Sequence, residues 1–242
     1  MRRAAAIVVV SIVLSACSGV VDNVQQTAQS KFQQFLAGQF ASRLESGIDA
    51  VVGQLSAKGG YLDDPLVRIL LPPPLGLAVG IVRDLQQNPK ATLLQILINQ
   101  AAENAIPVAG PILKDIVTNM GTPTLENVLN AGDTAATDYL KEKGGAAVRT
   151  ALLPAIAKEL HLNGAIELYG ELLKAHEEAQ RVTTIAADVR QRVETARQEA
   201  GSVQAVTQGQ LGEYVVEQAT AGLFKKVANE ELSIRRLLQN PY

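Results

Sequence analysis

An all-α fold, a single-domain multi-helix bundle, is what the sequence predicts. Apolar residues recur at steps of three and four through most of the chain, the spacing of a buried helical stripe. The interruptions fall at Gly and Pro, which end or kink helices. Hydrophobic residues make up 47% of the chain but aromatic residues only 4%, and abundant Gly and Ala with no Trp let helices approach closely, which suits a tight bundle or a cavity bounded by Leu, Ile and Val. A chain of this size can bury about 70% of its unfolded surface around one core.

The elements follow in order. Arg2 and Arg3 precede a largely apolar stretch of eleven residues, Ala4 to Leu14, and then Leu14-Ser15-Ala16-Cys17. A bilayer core needs about 20 apolar residues to span it, so this stretch reads as a secretory signal. Leu-Ser-Ala-Cys resembles the bacterial lipobox, in which small residues admit the peptidase and the cysteine thiol accepts a diacylglyceryl group. The resemblance implies cleavage between Ala16 and Cys17, lipid attachment at Cys17, and an address in the cell envelope. Ser18 follows where lipoproteins kept at the inner membrane usually carry Asp, which favours the periplasmic face of the outer membrane. On this reading residues 1–16 are the signal, 17–35 the lipid-anchored start of the first helix, and 36–242 an all-helical domain.

From Asp22, read as an N-cap, Val24, Ala28, Phe32, Phe35, Leu36, Phe40, Leu44, Ile48, Val51, Val52 and Leu55 predict one long helical stripe, broken at most once, in which Gly38, Gly47 and Gly53 either weaken the helix or permit close packing. Lys58-Gly59-Gly60 ends it, and Asp63-Asp64-Pro65 reads as a turn. Leu66 to Leu71, halted by Pro72-Pro73-Pro74, predicts a short extended arm. Leu75 to Gln87 predicts a helix. Leu94 to Ala105 is the clearest amphipathic segment, and Pro107 and Pro111 open the next helix, to Met120. Thr122-Pro123 and Asp133 read as caps of two further helices, with Gly144-Gly145 an interruption and Pro154 a kink. Asn163-Gly164 starts another helix. Glu177 to Ala200 is a polar helical insertion whose small apolar residues fall at heptad spacing. A linker, Gly201 to Gly212, leads to a final helix over Glu213 to Asn240.

Composition excludes several functions. The 22 basic against 24 acidic side chains give a formal charge of −2, and loss of residues 1–16 leaves 20 against 24, or −4. Nucleic-acid binding needs a basic surplus, so no nucleic acid is expected. With Cys17 acylated no free thiol remains, which removes disulfide, thiolate-zinc and cysteine-nucleophile chemistry. The chain holds no GxSxG elbow, phosphate loop or HExxH pair, so neither a cofactor nor a metal is expected. His161 reads as a helix-end cation, and Asp63-Asp64 as turn punctuation rather than an acid–base pair. The most suggestive cluster is Asp133, Thr134, Thr137, Asp138 and Tyr139. These residues either line a polar entry to a pocket or cap a helix and fix it to its neighbours.

Several runs resemble landmarks of domain of unknown function 4197, found in proteobacterial envelope proteins. They are Tyr61-Leu62-Asp63-Asp64-Pro65, Ala101-Ala102-Glu103-Asn104-Ala105-Ile106-Pro107, Leu129-Asn130-Ala131-Gly132-Asp133-Thr134-Ala135-Ala136-Thr137-Asp138-Tyr139, and Tyr214 through Gly222-Leu223-Phe224 to Asn229-Glu230-Glu231 and Ile234-Arg235. The similarity spans about residues 40–236, with 177–200 replacing a shorter connection. It implies a fold unit and an envelope location but no activity.

The expected function is therefore an outer-membrane-tethered lipoprotein acting as a binding or envelope-interaction module. Its partners are the membrane, through Cys17, and a hydrophobic ligand or envelope protein. Two alternatives stay open: a small periplasmic enzyme using carboxylates, and a scaffold self-associating through 177–200.

Overall fold

The computed structural model describes residues 5–76, 88–182 and 205–239, with side chains over 29–76, 88–179 and 205–238. Among the described residues, seven stretches of α-helix carry the fold: α1 Ala5–Ser56, α2 Pro89–Ala105, α3 Ala109–Thr118, α4 Thr122–Asn130, α5 Ala135–Leu162, α6 Ala165–Val182 and α7 Leu211–Gln239. α7 is central and packs along α5 and α1. α3 lies between α1 and α5, α4 rests on α1, and α2 bridges α5 and α6.

Each helix starts and stops for local reasons, several of them different from those the sequence suggests. α1 is already helical before Asp22, so Asp22 is not a cap. It runs unbroken for 52 residues, through Gly38, Gly47 and Gly53, because packing against α7 outweighs the intrinsic weakness of Gly. Nor is its apolar stripe single. Ala37, Phe40, Leu44, Ile48, Val51 and Leu55 are buried, whereas Phe32 and Phe35 are 59% and 61% exposed. The one-residue step from Phe35 to Leu36 marks a change from one helix face to another.

α1 ends where Gly59 takes φ +82°, a left-handed conformation that suits glycine at a helix C-terminus. The arm expected over 66–71 is irregular backbone and not a strand. The buried carboxamide of Asn99 on α2 serves it as a strand would. Its Oδ1 accepts from the Ile69 N–H at 2.9 Å, and its Nδ2 donates to the Ile69 carbonyl at 2.8 Å. Of the helix expected over Leu75 to Gln87, the part beyond Gly76 lies outside the described residues.

Asn88 caps α2 by accepting from the Lys90 N–H, with Pro89 in the first turn. A 3-10 turn at Ile106–Val108 joins α2 to α3. At α4 the cap position is Gly121, not Thr122, and no side chain bonds there. At α5 it is Thr134 rather than Asp133, again with no capping side chain of its own. α5 then runs through Gly144, Gly145 and Pro154. Gly144 does not interrupt it. Ile116 and Leu113 of α3 occupy the space a side chain there would need, so the missing Cβ permits close packing. Gly164, at φ +77°, turns the chain from α5 into α6. The 177–200 segment is helical as far as Val182 and lies beyond that outside the described residues. A capping box at Thr207–Gln210 precedes α7. The α7 residues Val216, Ala219, Leu223, Val227 and Ile234 are all buried.

Candidate functional site

Among the described residues the buried polar side chains are Asn99, Glu103, Thr137, Thr220, Glu231 and Arg235. A buried ion without partners is costly, so where these groups find their bonds bears directly on whether they serve structure or chemistry.

Glu231 on α7 is fully buried and reaches the first turn of α5. Its Oε1 accepts from the Ala136 N–H at 2.9 Å, and its Oε2 accepts from the Thr137 N–H at 2.8 Å and the Thr137 hydroxyl at 2.7 Å. A carboxylate at a helix N-terminus satisfies free donors and meets the positive end of the dipole. α7 thus supplies the cap that α5 lacks. Arg235, one turn on, donates to Glu231 Oε1 from Nε at 2.9 Å and Nη2 at 2.7 Å. It also donates to the Leu129 and Val128 carbonyls, both at 2.9 Å, at the C-terminal end of α4. Its guanidinium lies 5.0 Å from the centre of the Phe40 ring on α1. One ion pair therefore joins α1, α4, α5 and α7.

Glu103 on α2 receives backbone donors too, here from the turn that follows α1 rather than from a helix N-terminus. Oε2 accepts from the Gly59 N–H at 3.2 Å, and Oε1 from the N–H groups of Tyr61 and Leu62 at 3.1 and 3.2 Å. Tyr61 is fully buried and donates its hydroxyl to the Ala219 carbonyl at 2.9 Å. Burial, then the nearby Glu103 charge, push that hydroxyl far above the ordinary phenol range, so it remains a donor. Tyr169 on α6 likewise donates to the Val206 carbonyl at 2.7 Å, and burial again raises its pKa.

The clamps take up one residue of the suggestive cluster and leave the others at or near the surface. Thr137 is a clamp residue, and Thr134 bonds Asp138 at 3.2 Å on the surface. Asp133 is exposed, and Tyr139 is half-buried with the Lys143 ammonium 5.8 Å from its ring centre. The Asp63 carboxylate lies against Gly59, while Asp64 accepts from Lys226 at 2.9 Å and from the Leu66 N–H, which hold its carboxyl below the usual range. Among the described residues, no group of three or more His, Cys, Asp or Glu side chains is placed to hold a metal ion, and no helix is long and apolar enough to cross a membrane. Cys17 falls within α1, its side chain outside the described residues.

A concave surface remains. Where α5, the start of α6 and the start of α7 meet, a groove of about 570 Å³ has Leu153, Ala157, Leu160 and Ile166 along it, with His161, Gln208 and Glu213 also at its walls. No local pattern signals it, since its walls come from three separated segments. Apolar lining with a few polar groups is the usual composition of a ligand site.

The architecture defines the class: an all-α bundle whose helix ends are locked by carboxylates from distant helices. The chain belongs to a family described as a protein of unknown function (DUF4197), whose model matches residues 33–241. No curated protein and no solved structure matches it.

Proposed function

We propose that this chain is a lipoprotein of the cell envelope, tethered through Cys17 at the periplasmic face of the outer membrane, and that its domain works as a binding module rather than an enzyme. The observation that carries this reading is Leu14-Ser15-Ala16-Cys17 at the end of a signal-sized apolar stretch behind Arg2 and Arg3. The clamps support the second half: Glu103, Glu231 and Arg235 spend their bonding capacity on backbone and on each other. The groove along Leu153 and Leu160 supports a hydrophobic ligand as the bound species.

Intact mass of the chain extracted from membranes tests the anchor. The expected species begins at Cys17 and carries the lipid, and Cys17→Ser leaves an unprocessed chain without it. A mature mass equal to the bare polypeptide would sink the reading.

A further inference from the structure

The change of face within α1 sorts that helix into two surfaces. At 3.6 residues per turn, about 100° per residue, Ala37, Phe40, Leu44, Ile48, Val51 and Leu55 fall within an arc of about 80°. All six are buried against the domain. Positions 17, 21, 24, 28, 32 and 35 are spaced four, three, four, four and three, and hold Cys, Val, Val, Ala, Phe and Phe. On the same unbroken helix they occupy a second arc of about 80°, centred roughly 165° from the first. Phe32 and Phe35, half of the chain's four Phe, stand exposed on it.

We propose that residues 17–36 of α1 lie along the lipid surface, with Phe32 and Phe35 seated in the headgroup boundary and the domain held on the opposite side of the helix. The inference rests on the reading of Cys17 as the lipid-bearing residue, because that position shares the arc with both phenylalanines. A helix standing upright on its anchor would carry Phe35 about 27 Å from Cys17, into water. Lying flat, it presents the acyl chains and both rings to the bilayer together. Charge agrees with this. Between Cys17 and Leu36 the charged residues are Asp22 and Lys31. Asp22 falls about 125° from the centre of the apolar arc and Lys31 at its flank, where an ammonium meets phosphates while its stem covers apolar surface. The lipid on Cys17 and the two rings then make apolar contacts with the same surface, and several contacts hold more firmly than any one alone.

The chain contains no Trp, so Phe32→Trp and Phe35→Trp are unique reporters, with Gln33→Trp on the far side as the control. The full processed protein is reconstituted into vesicles of phosphatidylethanolamine and phosphatidylglycerol, and its emission is quenched with acrylamide or with lipids brominated along the acyl chain. The expected result is blue-shifted emission at 32 and 35, with brominated-lipid quenching at least about twofold above the control. Equal acrylamide access at all three positions in lipidated protein would overturn the inference and leave the anchor standing. Shielding from acrylamide without quenching by brominated lipid would overturn it in favour of a second copy or another protein. Unlipidated protein that is still quenched by brominated lipid would support the inference and remove the anchor, while unlipidated and unquenched protein would remove both.

Discussion

Thr137 was visible in the sequence as one of a polar group after Asp133, but its partner was not. Glu231 lies 94 residues further on, and no local spacing connects the two. What the sequence does show is the residue type: a carboxylate in the middle of an apolar helical face is the signal that could have found both Glu231 and Glu103. Glu231→Gln leaves Arg235 buried without its counter-charge and is expected to destabilise the fold by about 3–5 kcal/mol in urea unfolding. Replacing both, Glu231→Gln with Arg235→Met, recovers part of that loss, since the uncompensated charge goes too. Glu103→Gln keeps the shape but turns one acceptor into a donor, which leaves an N–H of the Gly59–Leu62 turn unmet. The expected loss is about 1–3 kcal/mol, with faster amide exchange confined to that turn. Asp64 gives a pH dependence. Lys226 lowers its folded-state pKa below the ordinary value of 3.8, so its contribution is present above that value and fades as pH falls through the folded pKa. The stability gap between wild type and Asp64→Asn should therefore be widest near neutrality and close in strong acid; a gap unchanged down to pH ~2 would refute the assignment.

Among elements, the helices with a clean single stripe were the legible ones. α2 and α7 appear where the spacing of Leu94–Ala105 and Val216–Ile234 places them, because one face of each is buried along its length. α1 was misread because Phe35 and Leu36, adjacent in sequence, let two stripes on different faces pass as one. The α5 glycines were misread for another reason. Gly144 looked like a breaker in isolation, yet it is the contact point with Ile116 and Leu113. Gly144→Val is accordingly expected to cost about 1–3 kcal/mol through overpacking, as read from the urea midpoint. Gly144→Ala should cost less, since the terminal methyl of Ile116 can yield. The arm at 66–71 could be placed by its prolines but not typed, because what receives its backbone is a side chain, Asn99, 30 residues away.

At the scale of the molecule, fold class was readable from periodicity and composition, and family from short runs of residues. The structure explains some of those runs: Tyr61-Leu62, Glu103, Thr137, Glu231 and Arg235 are the clamp residues themselves. The groove was not readable, since Leu153, Ile166 and Gln208 come together only when α5, α6 and α7 are assembled. Native mass spectrometry of the purified protein checks whether it is occupied. A reproducible mass excess that disappears on denaturation is expected, and Leu153→Glu should abolish it while preserving the helical signal; equal masses under native and denaturing conditions would remove the ligand.

The Glu231–Arg235 pair also sets a timetable. α5 begins at Ala135, but the carboxylate that finishes its first turn arrives near the end of the chain, and the same two residues close the end of α4. Synthesis runs from the N-terminus, so α4 and α5 keep open ends until residues 231 and 235 have been added. Long-range contacts of this kind form late because the intervening loop must close first. A chain built this way lacks the groups that close α4 and α5 until α7 is made, and it is expected to stay pliable over that interval.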